Sequence, residues 1–241
     1  MPATLSPPFL SPVPSGDGWL GYPLLLLFVP GTRPERFVTA VEAGVDAVII
    51  DLEDAVATAE KAAARDAVEA GFPPMGRVFL RINPAGTPWP SDDLALAARL
   101  PLAGLVLPKA ERCADIAAIG VVLGPDVPVV ALIESALGLA EVRRIAAMSQ
   151  VARLAFGSID FDADIGSSHS REALLCARRG LAPAPDEIAR AKRIVASLAA
   201  GGAVLAVDGA MVDAPVRLRA ERVLARAGVP GHAVPAATAR N

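Results

Sequence analysis

The chain has 241 residues, 53% hydrophobic and 20% charged, with 23 basic and 26 acidic side chains and a net charge of −3. That near-neutral balance, with only 7 Phe, 2 Trp and 1 Tyr, excludes the basic surface and stacking platforms of a nucleic-acid binder. Two cysteines far apart, Cys113 and Cys176, and two histidines, His169 and His232, exclude a disulfide scaffold, a structural zinc site and a His-rich metal centre.

Residues 1–23 are rich in proline, with Ser, Gly and Asp between, and are expected to form an irregular arm. They carry no basic n-region, and the longest apolar run falls far short of the ~20 residues of a membrane span. A cytoplasmic location is expected.

From Leu24 onward the chain alternates strand and helix. Leu24–Val29 is the first strand, ended by Pro30 and Gly31. Pro34 suits the first turn of a helix that carries Phe37, Ala40 and Val41 and stops at Gly44. Ala47–Ile50 is the second strand, closed by Asp51, Glu53 and Asp54, and an Ala-rich helix follows as far as Gly71. Val78–Ile82 is the third and includes Arg81. Ser91 is expected to cap a helix whose first turn holds Asp92 and Asp93. Leu105–Leu107 is the fourth strand, ended by Pro108 and Lys109; Val127–Ile133 is the fifth and runs into Glu134. Val151–Phe156 is the sixth, followed by Gly157-Ser158-Ile159-Asp160.

After Gly166 the rhythm changes. Helices are expected over about Ser170–Arg179 and Asp186–Ala200, the second with Ile188, Ala191, Val195 and Leu198 on one stripe. Ala203–Val207 and Ala210–Val212 then flank Asp208-Gly209, a strong hairpin signal, and a last helix runs from Pro215 to Ala227.

Short, continuous apolar strands separated by helices indicate a parallel sheet buried on both faces. No G-x-G-x-x-G follows the first strand, which argues against a dinucleotide-binding open sheet. Polar residues gather past the C-terminal ends of several strands, where barrels place catalytic groups. The expected fold is therefore α/β, a TIM (β/α)8-type barrel shortened by about two strands, with a C-terminal hairpin and helix. Its expected parts are residues 1–23 as the arm, 24–183 as the barrel, and 184–241 as the terminal helix, hairpin and last helix.

Glu134 and Asp160 lie at the ends of successive strands, so their carboxylates would share one rim and suit a hard cation such as Mg²⁺. Capping of the following helices is the alternative for both. Alternation along the third strand points Arg81 to the same side as Phe79, where a substrate carboxylate or an internal pair with Asp51 or Glu53 would balance it. Asp51, Glu53 and Asp54 are expected to support the metal's surroundings or to cap the next helix. Lys109 reads as a solvated loop lysine, and His169 as a bystander.

The motifs Leu27-Phe28-Val29-Pro30-Gly31, Pro34-Glu35-Arg36-Phe37 and Asp51-Leu52-Glu53-Asp54-Ala55-Val56 closely resemble the citrate lyase β-subunit-like branch of the HpcH/HpaI aldolase superfamily. The resemblance continues through Arg81-Ile82-Asn83, Leu107-Pro108-Lys109-Ala110, Ile133-Glu134-Ser135 and Gly157-Ser158-Ile159-Asp160 to Asp164-Ile165-Gly166. It resumes over Asp208 to Pro215. It implies a lyase or aldolase that cleaves or forms the carbon–carbon bond of a β-hydroxyacyl-CoA thioester of citryl-CoA, citramalyl-CoA or malyl-CoA type, giving an oxo acid and an acyl-CoA. It further implies Mg²⁺ held by Glu134 and Asp160, and substrate binding by Arg81, Glu134, Phe28 and Arg33. Asp213 is implied as an acid/base group on a lid that covers a neighbouring subunit of a homotrimer or hexamer.

The chain departs from the family's pattern twice. The last two barrel strands, with their Ile-His-Pro segment, are missing from between about Arg179 and Ala184, and Leu24-Leu25 stand where the family has Arg-Ser. Two alternatives follow: a catalytically decayed binding or assembly subunit, and an aldolase acting on free 2-oxo acids.

Overall fold

Six parallel strands line up in sequence order as β1 (Leu26–Pro30), β2 (Ala47–Asp51), β3 (Val78–Arg81), β4 (Gly104–Leu107), β5 (Val129–Ile133) and β6 (Val151–Phe156). The structure is a computed structural model. It describes residues 25–229 except 75, 168–169, 171, 173, 182–184, 200–204, 208–209, 213–216, 218–219, 222, 225–226 and 228. The expected arm, Leu24, His169, the turn residues Asp208 and Gly209, and Asp213 lie outside the described residues.

Helices alternate with the strands: α1 (Phe37–Glu42), α2 (Lys61–Gly71), α3 (Pro90–Ala97), α4 (Cys113–Leu123), α5 (Ala136–Ala146) and α6 (Ser158–Ile165). The period-two pattern of the strands explains the layering. Val48, Ile50, Leu80, Leu105, Leu107, Val129, Ala131 and Ile133 face the helices and pack with Phe37, Val68, Ile116, Val142 and Ile145. The intervening Ala47, Ile49, Phe79, Val106, Val130 and Leu132 form a second cluster made of strand residues, the inner face of a barrel wall. Six strands do not close, so the sheet is an open, shortened α/β barrel with β1 and β6 as its edges. On β1, Leu27 and Phe28 are exposed, as is Leu25 just before it.

Beyond the sheet come α7 (Leu175–Leu181), α8 (Pro185–Ala199) and the antiparallel pair β7 (Leu205–Val207) and β8 (Ala210–Val212), with Leu205 opposite Val212. Ala191 and Ile194 of α8 pack against Ala220, Val223 and Leu224 of the last helical stretch, a separate small core. Among the described residues, no helix is long and apolar enough to cross a membrane.

Three sequence expectations need correction. Ser91 does not cap α3: Pro90 takes the first helical position and Trp89 the capping one, so Ser91 sits inside the first turn. β5 begins at Val129, two residues later than its apolar run, because Pro128 offers no N–H to the ladder. α7 starts at Leu175, later than expected from Ser170.

Candidate functional site

The strand register sets the site. Pro30 pairs with Asp51, Asp51 with Arg81, and Ile133 with Phe156, so the C-terminal ends of the strands stand level. Two residues beyond Ile49, Phe79 and Leu132 come Asp51, Arg81 and Glu134, which the strand alternation places on the inner side.

Arg81 is the centre of one half. Its Nε and Nη2 donate to Asp51 Oδ1 and Oδ2 at 2.7 and 2.6 Å, a bidentate pair. Its Nη1 lies 2.9 Å from Glu53 Oε2 and 3.6 Å from Asp54 Oδ2. The guanidinium stands 5.1 Å over the Phe28 ring. The sequence offered Arg81 a substrate carboxylate or an internal pair with Asp51 or Glu53; two of its N–H groups are hydrogen-bonded to Asp51, and Nη1 pairs by charge with Glu53. Asp51 also accepts the backbone N–H groups of Glu53 and Ala55, so one buried carboxylate fixes both the loop after β2 and the guanidinium.

Glu134 and Asp160 form the other half. Glu134 is buried, and its Oε2 accepts the Lys109 backbone N–H at 3.0 Å. Burial above all, with the Glu53 and Asp160 charges adding to it, pushes the Glu134 carboxyl up to about 7. A Cβ on Gly157 would fall on the Glu134 carboxylate, so the glycine after β6 leaves the space this side chain fills. Asp160, in the first turn of α6, is partly exposed.

Lys109 joins the halves. Its Nζ donates to Glu53 Oε1 at 2.8 Å and lies 3.9 Å from Asp160 Oδ1. Strand alternation would send Lys109 with Leu107 toward the helices. It escapes because its φ is +45°, the only positive φ of a non-glycine among the described residues, and strain of this kind concentrates at functional sites. The solvated-lysine reading is thereby corrected. Burial pushes the Glu53 carboxyl up despite its two cationic neighbours.

Sequence reasoning also missed the support behind the acidic loop. Lys61 is buried, donates to the carbonyls of Leu52 and Glu53 at 2.7 Å each, and stands 5.3 Å over Trp89. One helical turn on, Arg65 pairs with Asp93 at 3.1 Å, and Asp93 accepts both the backbone and side-chain N–H groups of Asn83. The signal was a Lys and an Arg four apart, one face of a helix that otherwise reads as alanine filler. The structure places Arg33 in the turn before α1, exposed, and the described contacts do not bring its side chain to the cluster.

The donor set fits a hard divalent cation. Among the described residues, Asp51, Glu53, Asp54, Glu134 and Asp160 are balanced by Arg81, Lys109 and, from behind the loop, Lys61, which leaves an excess of negative charge at oxygen donors. That excess adds to burial in pushing the Glu134 carboxyl up. Among the described residues no three acidic, His or Cys side chains form a protein-only metal cage. Mg²⁺ does not need one, since it is commonly held by one or two carboxylates and completes its shell with water and substrate oxygens.

Residues 24–222 match the HpcH/HpaI aldolase/citrate lyase family. A citrate lyase subunit beta-like protein of Mycobacterium tuberculosis is 30% identical over 276 positions, covering 89% of this chain and 96% of the relative. Those 276 positions use only 89% of 241 residues, so about sixty positions of the relative have no counterpart here. An L-malyl-CoA/beta-methylmalyl-CoA lyase of Cereibacter sphaeroides is 37% identical over 157 positions, 58% of this chain and 49% of that protein. Among solved structures, the protein CitE of M. tuberculosis in complex with magnesium, acetoacetate and coenzyme A superposes with a TM-score of 0.54 at 29% identity, covering 84% of this chain and 97% of that one.

Proposed function

The chain belongs to the HpcH/HpaI aldolase/citrate lyase family, and from that premise we propose that it is a Mg²⁺-dependent carbon–carbon lyase. Its substrate is a β-hydroxyacyl-CoA thioester of citryl-, citramalyl- or malyl-CoA type, which it interconverts with an oxo acid and an acyl-CoA. The observation that carries this reading is that Arg81 and the carboxylates Glu134 and Asp160 stand at the same ends of the strands of one sheet, with Lys109 in contact with Glu53 on one side and with Glu134 and Asp160 on the other.

Glu134 and Asp160 would hold the ion, which would supply polarisation of the oxo acid's carbonyl oxygen. Arg81 grips the oxo acid's carboxylate and, backed by Asp51, keeps it in one orientation. Phe28 presents its ring to the same guanidinium and closes the apolar side. Arg33 lies at the same end of the sheet and takes the more distal anionic part of the substrate. In cleavage the β-hydroxyl gives its proton to solvent water, its oxygen becomes the carbonyl of the oxo acid, and the Cα–Cβ bond breaks. Its electron pair passes into the thioester enolate, whose carbon takes a proton from Asp213, on a lid that covers a neighbouring subunit of a cytoplasmic trimer or hexamer. The parts of the chain are residues 1–23, 24–183 and 184–241, as the sequence suggests. Incubation with each thioester and trapping of the released oxo acid as a phenylhydrazone tests the reading, and no oxo acid from any of the three overturns it.

The open sheet favours a second reading, a binding or assembly subunit that has lost turnover. Turnover of any thioester removes it.

Two outcomes follow from the Glu134 environment. A raised carboxyl must release its proton to accept a cation, so Mg²⁺ affinity should climb about tenfold per pH unit up to about 7 and level off above. Calorimetry at pH 6 in buffers of different ionisation enthalpy should show that proton release. Gly157→Ala should lower Mg²⁺ affinity by roughly 10–100-fold, because the new methyl displaces the Glu134 carboxylate. Wild-type affinity in that variant would show that the carboxylate is not a ligand.

A further inference from the structure

The two halves of the site sit on opposite parts of the sheet: Asp51, Glu53 and Arg81 on β2, β3 and the loop after β2, Glu134 and Asp160 after β5 and β6. Between them stands β4, and from its end Lys109 reaches both. We propose that Lys109 is a resident counter-cation that bridges the halves and competes with the divalent metal for their carboxylates, so that metal binding releases the lysine ammonium. The proposal rests on the Mg²⁺ reading above and adds to it a residue that sets how tightly and when the metal binds.

Three features carry it. The ammonium lies 2.8 Å from Glu53 Oε1 and 3.9 Å from Asp160 Oδ1, so it sits among the oxygens of a prospective cation site and satisfies one of them. The same residue's backbone N–H holds Glu134 Oε2, so one residue touches both proposed metal ligands and Glu53. Its left-handed backbone, φ +45°, is what turns the side chain away from the helix-facing side on which Leu107 lies. A lysine serving only solubility would need no such backbone. The hold on Asp160 is looser than a hydrogen bond, as suits a contact that is given up when a stronger cation arrives.

The chain has three lysines, Lys61, Lys109 and Lys192, which makes the test direct. Mg²⁺ is titrated calorimetrically into the full chain as wild type, Lys109→Met and Lys109→Arg, each checked for folding by thermal melting. Loss of the ammonium should tighten Mg²⁺ binding about tenfold in Lys109→Met, and Lys109→Arg should stay near wild type. In the wild type, Mg²⁺ should also raise acylation of Lys109 by an amine-reactive ester, read by mass spectrometry against buried Lys61 and exposed Lys192. This second readout needs no variant. Weaker or unchanged Mg²⁺ affinity in Lys109→Met, or Lys109 acylation unmoved or lowered by Mg²⁺, overturns the proposal while leaving the metal reading intact. No Mg²⁺ binding to the wild type overturns the metal reading and the proposal with it.

Discussion

Glu134→Gln and Asp160→Asn are each expected to weaken Mg²⁺-dependent binding of an oxo acid by at least about 100-fold, since loss of a supporting group alone commonly costs 10–100-fold. Both replacements keep the side chain's shape and remove its charge. For Glu134 the effect on folding should have the opposite sign. Its carboxyl is pushed up to about 7 by burial and by the Glu53 and Asp160 charges, so above that pH the folded chain carries an ionised group it holds at a cost. The folded state binds this proton more tightly than the unfolded chain does, so stability is fully retained at acid pH and falls as pH rises toward 7. Gln escapes that penalty and can still accept the Lys109 backbone N–H. At pH 8, Glu134→Gln should therefore melt no lower than wild type while failing to bind. Calorimetric titration of pyruvate with Mg²⁺, beside thermal melting, separates the two effects. Retention of metal-dependent binding within about threefold would remove Glu134 from the site.

The wall of the barrel was legible because each strand is a short apolar run whose two faces are both buried, and such runs need no tertiary information to be seen. Arg81 was legible for a related reason: alternation from Phe79 fixes its side, and a cation there demands a partner. What the sequence left open was which partner, a substrate carboxylate or an internal pair with Asp51 or Glu53. The register of β2 with β3 decides it, by setting Asp51 directly beside Arg81. Lys109 was misread because strand periodicity says nothing about a left-handed residue at a strand's end. Gly157 was invisible as a site residue, since its contribution is the absence of a side chain where Glu134 comes from another strand. Lys61 was hidden for want of a carboxylate partner: it is held by two backbone carbonyls.

The missing strands have a local consequence at the edges. A (β/α)8 chain spends roughly 30 residues on each βα unit, so about sixty unmatched positions in the M. tuberculosis relative amount to two units. Their loss leaves β1 as an edge strand with Leu27 and Phe28 exposed. Asp213 apart, the groups of the proposed site come from the six strands that remain and the segments after them, and β2 to β5 keep neighbours on both sides. Asp51, Arg81 and Glu134 thus belong to the interior of the surviving wall, and Phe28 and Asp160 to its two rims.

If Arg81 anchors the substrate as proposed, folding and binding depend on the same atoms, and its replacement should have the largest effect on the fold. Asp51 and Glu53 are buried at 1% and 3% exposure, and Arg81 is the cation that both share. Arg81→Ala should cost about 3–5 kcal/mol, the usual effect of stranding buried carboxylates, which for a chain of this length lowers the melting temperature by roughly 6–20 °C. Adding Asp51→Asn should return part of that loss, because the second change removes one stranded charge while keeping an acceptor for the Glu53 or Ala55 N–H. Arg81→Lys separates the two roles. A lysine ammonium can neutralise Asp51 but cannot match both of its oxygens and still present planar donors to a substrate carboxylate. That variant should melt closer to wild type than Arg81→Ala while losing roughly 100-fold in oxo-acid affinity with Mg²⁺ present. Melting curves and pyruvate titrations of the three variants give the answer. If Arg81→Lys binds the oxo acid as wild type does, the guanidinium serves the fold alone, and the carboxylate anchor lies elsewhere on the rim.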